Sequence, residues 1–192
     1  MRRRDWTTEP LKPGRYPPDG RTPAQAMTAI RHAPVEIGYG YDADGRLRFI
    51  QVGDANGIRG FDERDLMAIR GGLFVHNHPP FQFPADDPRR RAGSFSPMDL
   101  AFMWEFDLDE IVAVTAERTY ALRKPVGGFF LDPDLIWKDY ANELDKVQSR
   151  LAAAASVGLI TEDEAMSEGR WADEVMEALG ILYDYRWMEV EP

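Results

Sequence analysis

The chain has 192 residues, with 23 lysines and arginines against 33 aspartates and glutamates, no cysteine, and 44% apolar residues. At ~150 residues per domain, this length accommodates one substantial domain with additions, and the apolar fraction supports a real core. Without cysteine there is no disulfide framework, thiolate zinc finger, iron–sulfur cluster or cysteine nucleophile, so any metal must be held by His, Asp and Glu. No stretch approaches the ~20 apolar residues of a membrane span, and Met1-Arg-Arg-Arg-Asp-Trp leads into no apolar run, so a cytoplasmic protein without a membrane partner is expected. The net charge of −10 lies entirely in the last 61 residues, where 15 acidic side chains face 5 basic ones. That balance disfavours a nucleic-acid partner and leaves the runs Arg2-Arg3-Arg4 and Arg89-Arg90-Arg91 as solvated charge.

Residues 1–21 carry four prolines and six basic residues with little apolar periodicity, and they are expected to form a flexible arm outside the core. Thr22-Pro23-Ala24-Gln25 has the hydroxyl cap, proline and glutamine of a helix start, predicting a helix to about His32. Val35 to Tyr41 alternates, Asp42-Ala43-Asp44-Gly45 is turn chemistry, and Arg46 to Gly53 completes a β-hairpin. In that hairpin Glu36 shares a face with Gly38 and Gly40, a face expected to be clear of bulk. Phe61 to Arg70 reads as a short helix capped by Asp62 and closed by Gly71-Gly72. Leu73-Phe74-Val75 then enters a buried strand that runs into His76-Asn77-His78-Pro79.

The loop from Pro79 to Phe95 precedes a helix opened by Ser96-Pro97-Met98-Asp99, and a second hairpin joins Ile111–Thr115 to Thr119–Arg123. From Asp132-Pro133 onward the texture is helical. A long helix is predicted to end at Gly158, and a second, with the capping box Thr161 to Glu164, near Gly180. The aromatic tail from Ile181 to Met188 fits either a strand or a docked segment.

His76 and His78 are two of only three histidines. Alternation places positions i and i+2 on one side of a strand, so both imidazoles can approach one ion. Asp99 would complete two His and one carboxylate with a fourth position left for water, the pattern of a catalytic zinc site. A competing reading needs no metal: Ser96 followed by an acid three residues on is itself a helix cap. The direction of the Asp99 carboxylate, toward the imidazoles or over its own helix, separates the two. His32 falls at a helix end, and Asn77 is expected to support the turn.

Together, His76-Asn77-His78-Pro79, Ser96-Pro97-Met98-Asp99 and an upstream glutamate resemble the JAB/MPN domain with its JAMM metalloprotease motif, over roughly Ala24 to Lys124. The resemblance implies an α+β fold with cytidine-deaminase-like layering, a mixed sheet flanked by helices. It makes 22–125 the catalytic core and 126–192 an acidic helical extension. It implies Zn²⁺ on His76, His78 and Asp99, Glu36 as general acid/base, and Ser96 as the donor to a tetrahedral intermediate, with Glu63 the rival to Glu36. The activity implied is hydrolysis of a peptide or isopeptide bond in a protein or peptide substrate, ubiquitin-like conjugates being among those the family cleaves. The alternatives are a non-catalytic MPN-like interaction module and a RadC-like JAB domain linked to DNA metabolism. The 17 residues from Pro79 to Phe95 exceed the usual spacing and read as an insertion, a candidate for substrate contact through Phe81, Phe83 and the arginine run.

Overall fold

The computed structural model describes residues 3–8, 11–79, 93–128, 133–183 and 186–190. Seven strands form one mixed sheet: β1 (Gly14–Tyr16), β2 (Ile37–Tyr41), β3 (Leu47–Val52), β4 (Leu73–Asn77), β5 (Glu110–Val114), β6 (Thr119–Arg123) and β7 (Arg186–Val190), in the order β1-β3-β2-β4-β5-β6-β7. Only β4 and β5 run parallel; the other neighbours are antiparallel. A parallel pair cannot be joined by a tight turn, and helix α3 (Pro97–Glu105) lies in the crossover between them. Helices α1 (Pro23–Ile30) and α2 (Glu63–Ala68) precede it, and α4 (Pro133–Ser156), α5 (Glu162–Ala165) and α6 (Glu168–Tyr183) follow. The architecture is therefore α+β, a mixed sheet flanked by helices. Among the described residues no helix is long and apolar enough to cross a membrane.

Strand alternation divides the core into two layers. Ile37, Tyr39, Tyr41, Ile50, Val52, Val75, Val112 and Val114 pack with Ala26 and Ile30 of α1 on one side of the sheet. Phe49, Phe74, Ile111, Ala113, Tyr120 and Leu122 pack on the other with Leu100 and Met103 of α3, Ile136 and Val147 of α4, and Val175 and Leu179 of α6. Each such aliphatic side chain contributes about 1.5–3 kcal/mol when fully buried. His76 follows Phe74 by two residues, so the pleat delivers it to the side covered by α3, α4 and α6.

Local signals account for the element starts. Thr22 caps α1 in a complete capping box with Gln25, Asp62 accepts from Arg64 N at the start of α2, and Ser96 and Thr161 cap α3 and α5.

Two expectations are corrected. The segment before residue 22 is not outside the core: β1 pairs with β3, and Trp6 is 2% exposed. Trp6 Nε1–H donates to Tyr39 OH at 2.6 Å, and Arg21 also donates to Tyr39 OH, at 3.2 Å, so the aromatic ring outweighs the surrounding prolines and charges. The helix expected from Thr161 to Gly180 is two helices. The chain breaks at Met166, and Ser167 restarts it by accepting from Arg170 N through Oγ. The second of these runs past Gly180 to Tyr183, and the tail then adds β7 beside β6.

Candidate metal centre

β4 supplies His76 near the end of the central strand, and His78 follows one residue beyond it, its backbone N–H extending the ladder to Val114 O at 2.9 Å. Between them Asn77 is fully buried and turned the other way. Its Oδ1 accepts from Ile37 N at 2.8 Å and its Nδ2 donates to Val35 O at 3.1 Å, tying the strand end to the start of β2. The His76 ring stacks on Phe74 with centroids 5.6 Å apart.

α3 brings the third group. His76 Nε2 lies 3.0 Å from Asp99 Oδ1, His78 Nε2 lies 3.6 Å from Asp99 Oδ2, and the two Nε2 atoms are 3.0 Å apart. Ligand atoms at ~2.0–2.1 Å from one tetrahedral ion stand about 3.3 Å from one another, so this spacing fits a single metal. Two imidazole Nε2 atoms directed at each other and at a carboxylate need either a proton on one of them or a metal between them. His78 Nδ1 is 2.9 Å from Gly93 O, which assigns its proton to Nδ1 and frees Nε2 as a ligand. His76 Nδ1 finds no partner among the described residues, so its polar contacts run through Nε2. His76, His78 and Asp99 form a group that could hold a metal ion.

Asp99 does what both sequence readings ask of it. Its Oδ2 accepts from Ser96 N and from Ser96 Oγ, each at 2.7 Å, while Oδ1 faces His76. The cap fixes the carboxylate, and the fixed carboxylate points at the imidazoles. Ser96 Oγ–H is thereby engaged with Asp99, and Ser96 Oγ in turn accepts from Asp99 N at 3.3 Å.

Glu36 stands one residue before β2 and continues its pairing: Glu36 N donates to Asp54 O at 2.9 Å and Gly53 N to Glu36 O at 2.8 Å. Gly38 is the register partner of His76, so Glu36, two residues earlier on that face, comes toward His78. The face is not empty, as expected, but filled from across the sheet. A Cβ on Gly38 would run into the Phe74 ring and one on Gly40 into the Phe49 ring, so the glycines accommodate the aromatic layer beneath the site. Glu63 is exposed in the first turn of α2 and takes no part in the cavity lining.

A cavity of about 780 Å³ opens onto the site. Glu36, His76, His78 and Asp99 share its lining with Phe61 and Phe102 on one wall and with Tyr140 of α4 on another. Burial raises the Glu36 carboxyl above its usual range, although the two histidines pull it down. Burial likewise opposes ionisation of Asp99, but the flanking imidazoles outweigh it and hold that carboxyl well below the carboxylate range. His78 shows the reciprocal effect: burial works against its imidazolium, yet the Asp99 hydrogen bond and charge, with Glu36 and Gly93 O, hold it up at about 9. Tyr140 is pushed up to about 12 by burial and by the charge of Asp99. The sequence pattern places Tyr140 on the apolar stripe of the long helix without marking it as a site residue, and it gives no signal for Gly93; each reaches the site through tertiary packing. Residues 80–92, including Phe81, Phe83 and the arginine run, lie outside the described residues.

Comparison with known proteins gives no match to a family model, a curated protein or a solved structure.

Proposed function

We propose that the protein is a zinc-dependent hydrolase of peptide or isopeptide bonds, a JAB/MPN-type domain with the JAMM arrangement. The observation that carries this reading is the convergence of His76 Nε2, His78 Nε2 and Asp99 Oδ1 from β4 and α3 in a cavity that Glu36 also lines. The order of elements, helix, hairpin, helix, His-bearing strand, Asp-bearing helix and hairpin, supports it as well.

His76, His78 and Asp99 would hold the ion, with Gly93 O fixing the His78 ring and Ser96 fixing the Asp99 carboxylate. When bound, zinc supplies Lewis acidity toward a carbonyl oxygen and brings the pKa of water near 7. Glu36 is the proton carrier: a carboxylate raised by burial can accept a proton from the nucleophilic water and deliver it to the departing amine. Two-histidine, one-carboxylate ligation suits zinc, and three protein ligands leave a fourth position for water, the pattern of a catalytic zinc site. Ser96 Oγ orients Asp99; to serve an oxyanion its proton must turn away from Oδ2. Phe61 and Phe102, with ring centroids 5.2 Å apart, give the cavity an apolar surface beside the site.

The test is turnover of mixed peptide and isopeptide substrate libraries by zinc-loaded wild type and E36Q, with metal content measured in both. Cleavage by wild type that falls at least about 100-fold in E36Q at equal zinc content supports the proposal. Equal traces of cleavage in the two proteins would instead favour the interaction module.

A further inference from the structure

The acidic C-terminal helices reach the candidate metal centre through the segment that follows residue 92. Gly93 is seated against α6: a Cβ built there would lie 2.5 Å from Ala172 Cβ and 3.2 Å from Gly169 Cα. No side chain fits between them, and the glycine backbone reaches the helix surface directly. The next residue is tied to the same helix, since Ser94 N donates to Asp173 Oδ1 at 3.0 Å. Asp173 Oδ2 meanwhile accepts from Tyr120 OH of β6 at 3.5 Å, so this one carboxylate joins the sheet, α6 and the 93–94 segment. The carbonyl of Gly93 is the group that receives the His78 Nδ1 proton.

We propose that Asp173 is a positioning residue for the metal site, holding Gly93 O against His78 Nδ1 so that α6 sets the orientation of one ligand ring. The covalent neighbours of His78 cannot do this. Its own strand ends at Asn77, and among the described residues the group that meets the ring nitrogen is Gly93 O, fifteen residues further on, so the ring partner must be held in place by something outside the strand. An α6 surface with glycine and alanine at 169 and 172 and a carboxylate at 173 supplies both the close approach and the hydrogen bond. Outer groups that orient a ligating imidazole typically change metal affinity 10–100-fold when removed. The proposal rests on the metal reading above, and its test separates the two.

Zinc ion is titrated against a chromophoric chelator in the full-length wild type, D173N, D173A, G93A and G93A/A172G, and the His78 Nδ1–H proton is followed by NMR in the metal-free proteins. D173A and G93A are expected to bind zinc about 10-fold more weakly and to lose protection of the His78 proton. D173N retains an oxygen acceptor for Ser94 N, and the double variant removes the methyl that blocks Gly93, so both return toward wild type. Wild-type affinity and protection in folded D173A overturn the proposal. Should D173A not fold, G93A and G93A/A172G decide it, equal values in the two being the overturning result. A wild type that takes up no zinc removes the metal reading alone; the proton measurement then still decides the clamp, and unchanged protection in D173A overturns it.

Discussion

The space beside Gly38 belongs to the ring of Phe74: a Cβ on the glycine would overlap Phe74 Cζ, and the same ring stacks on His76. Phe74 has little room to retreat, being packed against Phe49, Phe61 and Phe102. Gly38→Ala is therefore an overpacking change beneath the site, expected to cost about 1–3 kcal/mol. Urea unfolding reads it as a lower midpoint with unchanged slope; a midpoint equal to wild type would show that the aromatic layer yields freely.

Trp6 stands edge-on to Tyr39 with ring centroids 6.4 Å apart, and to Tyr16 at 5.6 Å, while donating its indole proton. Replacing it by alanine removes a fully buried aromatic, an expected loss of about 3–5 kcal/mol. Thermal unfolding of Trp6→Ala checks this, and a melting temperature within a degree of wild type would return the segment to the status of a loose arm.

That segment also shows where sequence reading stops. Capping boxes at Thr22, Ser96 and Thr161 and turn residues at Asp42 to Gly45 are local signals, and the elements they announce are present. The pairing of His76 with His78 was legible because strand alternation is local too. The burial of Trp6, the seat of Gly93 on Ala172 and the placing of Tyr140 in the cavity are contacts between distant parts of the chain, and no periodicity encodes them. The break at Met166 and Ser167 lay between the two kinds: Ser167 is a legitimate cap, masked by the stronger capping box six residues earlier.

Glu36 gives a pH-dependent signature distinct from its catalytic one. Burial raises its folded pKa, so the fold prefers the protonated form. The resulting stability is present at acid pH and is lost as pH rises through the folded value. In metal-free protein Glu36→Gln is expected to melt higher than wild type at neutral pH, with the gap closing as the pH is lowered toward 4. Scanning calorimetry over that range tests this, and a variant less stable than wild type at pH 7 would contradict it.

His78 carries the opposite charge and a wider window. With its folded value held at about 9 against an ordinary 6.5, the metal-free chain keeps this imidazole protonated at neutral pH. Its contribution to stability is complete below about 6.5 and is lost between 6.5 and 9. A ligating imidazole must be deprotonated, so zinc uptake at pH 7.5 is expected to release close to one proton from this residue. Calorimetric titration in buffers of differing ionisation heat measures the release; binding without proton release would contradict the assignment of His78 as a ligand.

The most direct test is elemental analysis of protein purified without a histidine tag and supplied with zinc, comparing wild type with His76→Ala and Asp99→Ala. The geometry of His76, His78 and Asp99 predicts about one zinc per chain in wild type and its loss in both variants, with the fold retained by circular dichroism. A wild type that stays empty, or variants that keep their metal, would leave Asp99 as the cap of α3 alone and remove the basis for a hydrolase.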